Sequence, residues 1–300
     1  MAEQKKLIVI AGPTAVGKTA IAIEVAKSLD TEIISADSRQ CYRGMTIGTA
    51  QPSADERAIV PHHFVDCYDV QEALNAADFE RYALEKLEDI FAQHQYAIVC
   101  GGTGLYLKAL CEGLDDMPAI DPMINQVVLD HYAAEGMDWL REELRQKDPE
   151  FAAMGAMDNP ARMLRALAFK LSVGTSIVQY RTAVKKDRPF DIINIGLELP
   201  REQLYERINQ RVDIMMQQGL LQEAQQLYPQ RHLKNLQTVG YAELFAYLEN
   251  KMTIAQAVEK IKQHSRNYAK RQLTWFKKDK AFTWLKAQDP HLMAKIADVL

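Results

Sequence analysis

Residues 12–19 read GPTAVGKT, two glycines five apart followed by a lysine and a hydroxyl residue, the spacing of a loop that cradles phosphate. In such a loop the backbone N–H groups opened by Gly12 and Gly17, with Pro13, Thr14, Ala15 and Val16 forming the turn, converge on anionic oxygens, and the following helix adds the positive end of its dipole. Lys18 contributes a full charge, and Thr19 offers a hydroxyl to a metal ion carried on the phosphates. The pattern specifies phosphate oxygens, not the group attached to them, so a diphosphate fits as well as a triphosphate. The usual companion of the loop is a second apolar strand ending in a carboxylate that positions Mg²⁺ for γ-phosphoryl transfer. No such strand is legible here.

Other residues of chemical interest each carry a plain alternative. In ISADSRQCY, Asp37 and Ser38 directly follow a strand pattern; Asp37 is a candidate general base or simply the cap of a turn, and sequence alone leaves both open. CGGTGLY, residues 100–106, has three glycines around Thr103 at a strand end, where close ligand approach and tight packing explain glycine equally well. Arg162 and Arg165 fall on one face of a helix after DNP, and Arg207 and Arg211 repeat the arrangement at a spacing of four; surface salt bridges are the plain alternative for both pairs. In RNYAKRQLTWFKK, aromatic residues alternate with Arg266, Lys270 and Arg271, as on surfaces that grip RNA, although Trp and Phe on an amphipathic helix also read as core. His62 and His63 are adjacent on a strand and point to opposite faces, which favours structural roles.

The elements that must hold these residues follow from periodicity. KLIVIAG, TEIISAD, HHFVDCYDV, YAIVCGG and FDIINIGLEL read as strands, with helical patterns in KTAIAIEVAKSL and AADFERYALEKLEDIFAQH between them. Alternation of this kind predicts an α/β fold, a P-loop NTPase-like parallel sheet flanked by helices. From 112 to 188 strand patterns vanish and Asp121–Pro122, Asp148–Pro149 and Asn159–Pro160 punctuate amphipathic helices, so this stretch is expected to form a helical insertion domain. Residues 1–111 and 189–300 then form the catalytic core, ending in a mostly helical C-terminal segment.

With 300 residues, 48% of them hydrophobic and 25% charged, the chain can bury a full core without staples. Cysteines at 41, 67, 100 and 111 show neither metal-site nor disulfide spacing, so reduced thiols and a cytoplasmic location are expected, with no membrane span. The net charge of −4 is uneven. Residues 258–280 hold eight Lys/Arg against Glu259 and Asp279, and residues 158–188 hold seven against Asp158 and Asp187. Two basic stretches on an acidic body are either solvated helix faces or the footprint of a polyanion.

Taken in order, GPTAVGKT, ISADSRQCYRGMTIGTAQPS, VPHHFVD, GGTGLYLKAL, DNPARMLRAL, LYERINQRV, QTVGYAEL and YAKRQLTWF resemble the tRNA dimethylallyltransferases, also called tRNA isopentenyltransferases, through nearly the whole chain. The resemblance implies transfer of a dimethylallyl group from its diphosphate to the exocyclic N6 of the adenosine next to the anticodon. A loop that holds a leaving diphosphate needs no carboxylate strand of the phosphoryl-transfer kind. The resemblance further implies that residues 12–19 bind the diphosphate with Mg²⁺ at Thr19, that Arg211 is directed at the diphosphate, and that Asp37 is the general base. The tRNA anticodon stem-loop would be contacted by Asp37, Ser38, Arg39, Gln40 and Thr103, by Asn125 and residues Ala161, Arg162, Met163, Leu164 and Arg165 of the insertion, and by Arg266, Lys270 and Arg271. The target base would be turned out of its stack into a channel between loop and insertion. Asn125 stands where the family frequently has Arg, and Cys41 where it has a small aliphatic residue. The resemblance is to the bacterial-type enzymes, for which no zinc-finger extension of the eukaryotic kind is expected, and no obligate protein partner is implied. The rival expectation is a small-molecule or nucleotide kinase using ATP on the same loop.

Overall fold

The computed structural model describes residues 4–155, 157–182 and 184–300. Among them, six strands form one parallel sheet: β1 (Lys6–Ala11), β2 (Ile33–Ala36), β3 (His62–His63), β4 (Tyr96–Gly101), β5 (Asp191–Glu198) and β6 (Thr283–Lys286), in the spatial order β3-β2-β4-β1-β5-β6. The chain leaves β1 through helix α1 (Lys18–Leu29) and returns to β2, two places away, with β4 between them. Ala11 pairs in register with both Gly101 and Gly196, and Gly101 with Ala36. The C-terminal ends of β2, β4 and β1 therefore stop level, with β5 running two residues further beside β6, and the loops that follow emerge along one rim, where open α/β sheets bind their ligands.

The strands are apolar on both faces because helices cover both; Leu7 to Ala11 and Ala97 to Val99 are fully buried. Short helices α2 (Thr46–Thr49) and α3 (Ala54–Ile59) follow β2, and α4 (Ala76–Gln93) precedes β4. Asn75 caps α4 by accepting from the N–H groups of Ala77 and Asp78. Helix α5 (Gly104–Glu112) leaves β4 directly.

The chain divides into two compact units, Met1–Glu112 with Asp187–Leu300, and Gly113–Lys186. The second has its own core of Leu140, Leu144, Phe151, Met163, Leu167 and Phe169 inside α6 (Pro122–Lys147), α7 (Pro149–Ala153) and α8 (Pro160–Val173). Each of these helices begins at one of the Asp/Asn–Pro pairs, with the acidic or amide side chain accepting a backbone N–H and proline in the first turn. Helix α6 breaks at Gly136, where φ is 75°.

In the first unit, α9 (Arg201–Gln217), α10 (Leu220–Leu227), α11 (Tyr241–Leu248), α12 (Ile254–Phe276) and α13 (Leu292–Ala297) complete the chain. One sequence expectation needs correction. HHFVDCYDV extends only at His62–His63, because Phe64 and Asp66 take positive φ values of 59° and 53° and turn the chain out of the sheet. The tail is interrupted by β6, a four-residue edge strand too short and too exposed to stand out from the helical patterns around it.

Candidate active site

The phosphate loop is shaped by close approach. A Cβ on Gly12 would lie 2.7 Å from the carbonyl oxygen of Leu197, so only glycine lets the loop leave β1 beside β5. Gly17 caps α1 in the left-handed region, with φ 105°. Lys18 Nζ donates to the Pro13 carbonyl at 2.9 Å. Burial pushes this ammonium down to about 8, although the residue as a whole is only half-buried; Arg211 lowers it further, and the nearby Asp37 carboxylate opposes the shift. Two turns of α9 aim arginines at the loop: Arg211 Nη1 donates to Thr14 Oγ1 at 3.2 Å, and Arg207 Nη1 to the Val16 carbonyl at 3.3 Å. Burial also lowers the Arg211 guanidinium from its usual range. Among the described residues neither arginine forms a salt bridge, so the plain alternative for this pair is not what the structure contains.

The neighbouring rim carries Asp37. Its Oδ1 accepts the backbone N–H groups of Arg39 at 2.9 Å and Gln40 at 3.3 Å, so the carboxylate does cap the turn. Both bonds fall on one oxygen, which leaves Oδ2 able to accept another proton. Thr103 Oγ1 accepts from Ser38 N–H at 3.0 Å, and Thr103 N–H donates to the Ala36 carbonyl at 3.1 Å. These bonds lock the β2 and β4 loops together over Gly101, where a Cβ would strike the Ala36 carbonyl at 2.2 Å. Tyr268 on α12 faces this junction, its phenol pushed up to about 12 by burial and then by Asp37. Gln40 is turned inward: Nε2 donates to the Thr49 and Ala50 carbonyls and Oε1 accepts from Ser35.

These groups line one cavity of about 570 Å³. Thr14, Lys18, Thr19, Arg207 and Arg211, the turn of Asp37, Ser38 and Arg39, and the apolar side chains of Ile208, Val212, Met215 and Ile261 all line it. Strand β4, which runs beside β1, ends in Cys100 and Gly101 and is followed by Gly102. This is where phosphoryl-transfer chemistry places a metal-binding carboxylate, and glycine stands there instead. Among the described residues no group of three or more His, Cys, Asp or Glu could hold a metal ion; His62 and His63 bond instead to the Val60 carbonyl and Glu32.

The remaining expected contacts lie elsewhere. In the second unit Ala161, Arg162 and Arg165 are exposed, and neither arginine is held in a salt bridge among the described residues. Leu164 and Asn125 are half-buried. Met163 is fully buried in that unit's core, so its side chain is not available to a partner. On α12, Lys270 and Arg271 are exposed, whereas Arg266 Nη1 donates to Asn209 Oδ1 at 2.6 Å. Phe276 is core, but Trp275 is 44% exposed and lies over Gly104, whose added Cβ would meet the indole nitrogen at 2.1 Å. Gln272, which no motif spacing marks, is 5% exposed and bonds to the loop at Thr14 and to Gly102.

The family model described as IPP transferase matches residues 40–279. A tRNA dimethylallyltransferase 1 of Phocaeicola vulgatus is 47% identical over 278 residues, 93% of each chain. A tRNA dimethylallyltransferase of Christiangramia forsetii is 46% identical, covering 93% of this chain and 92% of its own. Among solved structures, a tRNA isopentenylpyrophosphate transferase of Bacillus halodurans aligns with a TM-score of 0.72 at 37% identity, over 99% of this chain and 94% of that one. A eukaryotic dimethylallyltransferase described as acting on tRNA aligns with a TM-score of 0.80 at 28% identity, over 98% and 77%. A sheet rim that joins a phosphate cradle to a carboxylate beside an apolar wall, together with these likenesses over almost the whole length, shows that the chain belongs to the IPP transferase family.

Proposed function

We propose that the protein transfers a dimethylallyl group from dimethylallyl diphosphate to the exocyclic N6 of the adenosine next to the anticodon in tRNA, releasing diphosphate. The observation that carries this reading is the charge and polarity of the cavity: cations without salt-bridge partners among the described residues around a phosphate loop, apolar side chains beside them, and the Asp37 carboxylate in the same lining. Desolvated cations are costly unless an anion completes them, and a branched hydrocarbon suits the wall of Ile208, Val212, Met215 and Ile261.

In the reaction the N6 lone pair attacks the allylic carbon, the carbon–oxygen bond breaks, and the electron pair leaves on the diphosphate. Lys18, Arg211 and the loop N–H groups stabilise the charge that develops on that leaving group. Asp37 accepts the proton shed by the nitrogen, its free oxygen held in place by the turn that the other oxygen caps. The donor set suits Mg²⁺ carried on the diphosphate with Thr19 as the protein ligand, since among the described residues no group of three or more His, Cys, Asp or Glu could hold the ion by itself; when bound it would neutralise departing negative charge. Arg162 and Arg165 of the second unit, and Lys270 and Arg271 of α12, would grip the phosphates of the stem-loop. A tRNA acceptor is in keeping with a cytoplasmic reaction.

The glycines at the end of β4 weigh against the kinase alternative, which needs a metal carboxylate there. The deciding experiment incubates the protein with dimethylallyl diphosphate, Mg²⁺ and unmodified tRNA and analyses the nucleosides by mass. A dimethylallyl gain on adenosine is expected. Phosphoryl transfer from ATP without that gain would give the site to the kinase reading.

A further inference from the structure

Gln272 lies 258 residues from Thr14, yet its Oε1 accepts the Thr14 N–H at 2.8 Å while its Nε2 donates to the Gly102 carbonyl at 2.9 Å. The amide is buried and its orientation is fixed, because one partner is a donor and the other an acceptor. Gly102 exists to admit it: a Cβ there would lie 2.2 Å from Nε2. The bond also changes what the loop can offer a ligand. Pro13 has no N–H, the Thr14 N–H is taken, and the Val16 N–H turns back to the Pro13 carbonyl at 3.4 Å, while the Thr14 hydroxyl accepts from Arg211 and keeps its own O–H to donate. The backbone donors left to converge on an anion come from Ala15 and from Gly17 to Thr19 at the start of α1.

We propose that Gln272 is a positioning residue that sets the size of the anion the loop accepts. By claiming the Thr14 N–H and tying it to the end of β4, it withdraws one backbone donor from the first half of the cradle, so that the backbone donors that remain favour a diphosphate over a longer anion. This rests on the diphosphate reading given above and adds the residue that enforces it.

The test measures binding of magnesium pyrophosphate and magnesium tripolyphosphate to the full chain by calorimetry. Wild type is expected to prefer pyrophosphate. Gln272→Leu releases the Thr14 N–H and should shift the affinity ratio toward tripolyphosphate on the order of fivefold, the worth of about one recovered hydrogen bond. Gln272→Glu keeps an acceptor for Thr14 N–H and should weaken both anions without favouring the longer one. Should Gln272→Leu fail to fold, Gly102→Ala displaces the same amide from the opposite side and should move the ratio in the same direction. Parallel loss of both affinities, or a wild type indifferent to anion length, would overturn the proposal. Since only inorganic anions are used, the result stands apart from prenyl transfer: transfer with an unmoved ratio removes Gln272's role alone, and absent transfer removes the reading on which it rests.

Discussion

Asp37 serves two purposes that substitution can separate. Asn at this position keeps an oxygen for the Arg39 and Gln40 N–H groups but cannot take up a proton, so Asp37→Asn should leave thermal stability and tRNA affinity unchanged while kcat falls by on the order of 10²–10⁴. An unchanged kcat in a transfer assay would reduce Asp37 to a cap. Lys18 gives a prediction with a pH sign. Its folded value of about 8 lies below the usual 10.5, so the unfolded chain holds this proton more tightly. The charged side chain therefore destabilises the fold fully below pH 8, and the penalty fades as pH rises from 8 to 10.5. Lys18→Met should gain on the order of 2 kcal/mol at pH 7 in urea unfolding, after allowance for partial exposure, with less gain at pH 9.5, and should lose pyrophosphate binding. The loop was legible in the sequence because its spacing is local. Gln272 was not, because its partners lie on distant loops and nothing about a glutamine in a helix announces what it meets.

At the scale of elements, the short helix α2 is held by a carboxylate from another helix. Glu223 of α10 accepts the N–H groups of Ile47 at 2.7 Å and Gly48 at 2.8 Å and the Tyr241 hydroxyl of α11 at 2.6 Å. Gly48, Thr49 and Ala50 line the cavity, so this junction shapes its wall. Tyr241→Phe should cost about 1.5 kcal/mol, and Glu223→Ala about 3 kcal/mol, because the latter strands one buried and two part-buried donors; urea unfolding reads both, and the larger loss should also raise KM for the diphosphate. Caps such as Asp121, Asp148 and Asn159 could be read in advance, since the residue and the helix it starts are neighbours. The turn at Phe64 and Asp66 could not, because residues of high strand preference were overridden by tertiary packing.

Across the whole molecule, charge is the organising quantity. A body with a net charge of −4 does not attract RNA indiscriminately, so tRNA binding rests on a few exposed cations. Changing Arg162 and Arg165 together to Ala should weaken tRNA binding and reduce the slope of log affinity against log salt by about 1–2, while pyrophosphate affinity stays constant. An unaltered slope in a filter-binding titration would assign both arginines to solvent. Their exposure was readable from helical spacing; the inward turn of Met163 followed from the same spacing, yet the family likeness grouped it with its neighbours.

The indole of Trp275, seated over Gly104 with nearly half its surface open, gives the protein a built-in optical reporter. The chain has three tryptophans; Trp139 stacks on His131 and Trp284 lies under Lys277. Replacing those two by Phe leaves a single emitter next to Thr103, at the rim where the nucleobase is expected to dock. Addition of an anticodon stem-loop should quench its emission, so that occupancy could be followed in real time without any attached dye.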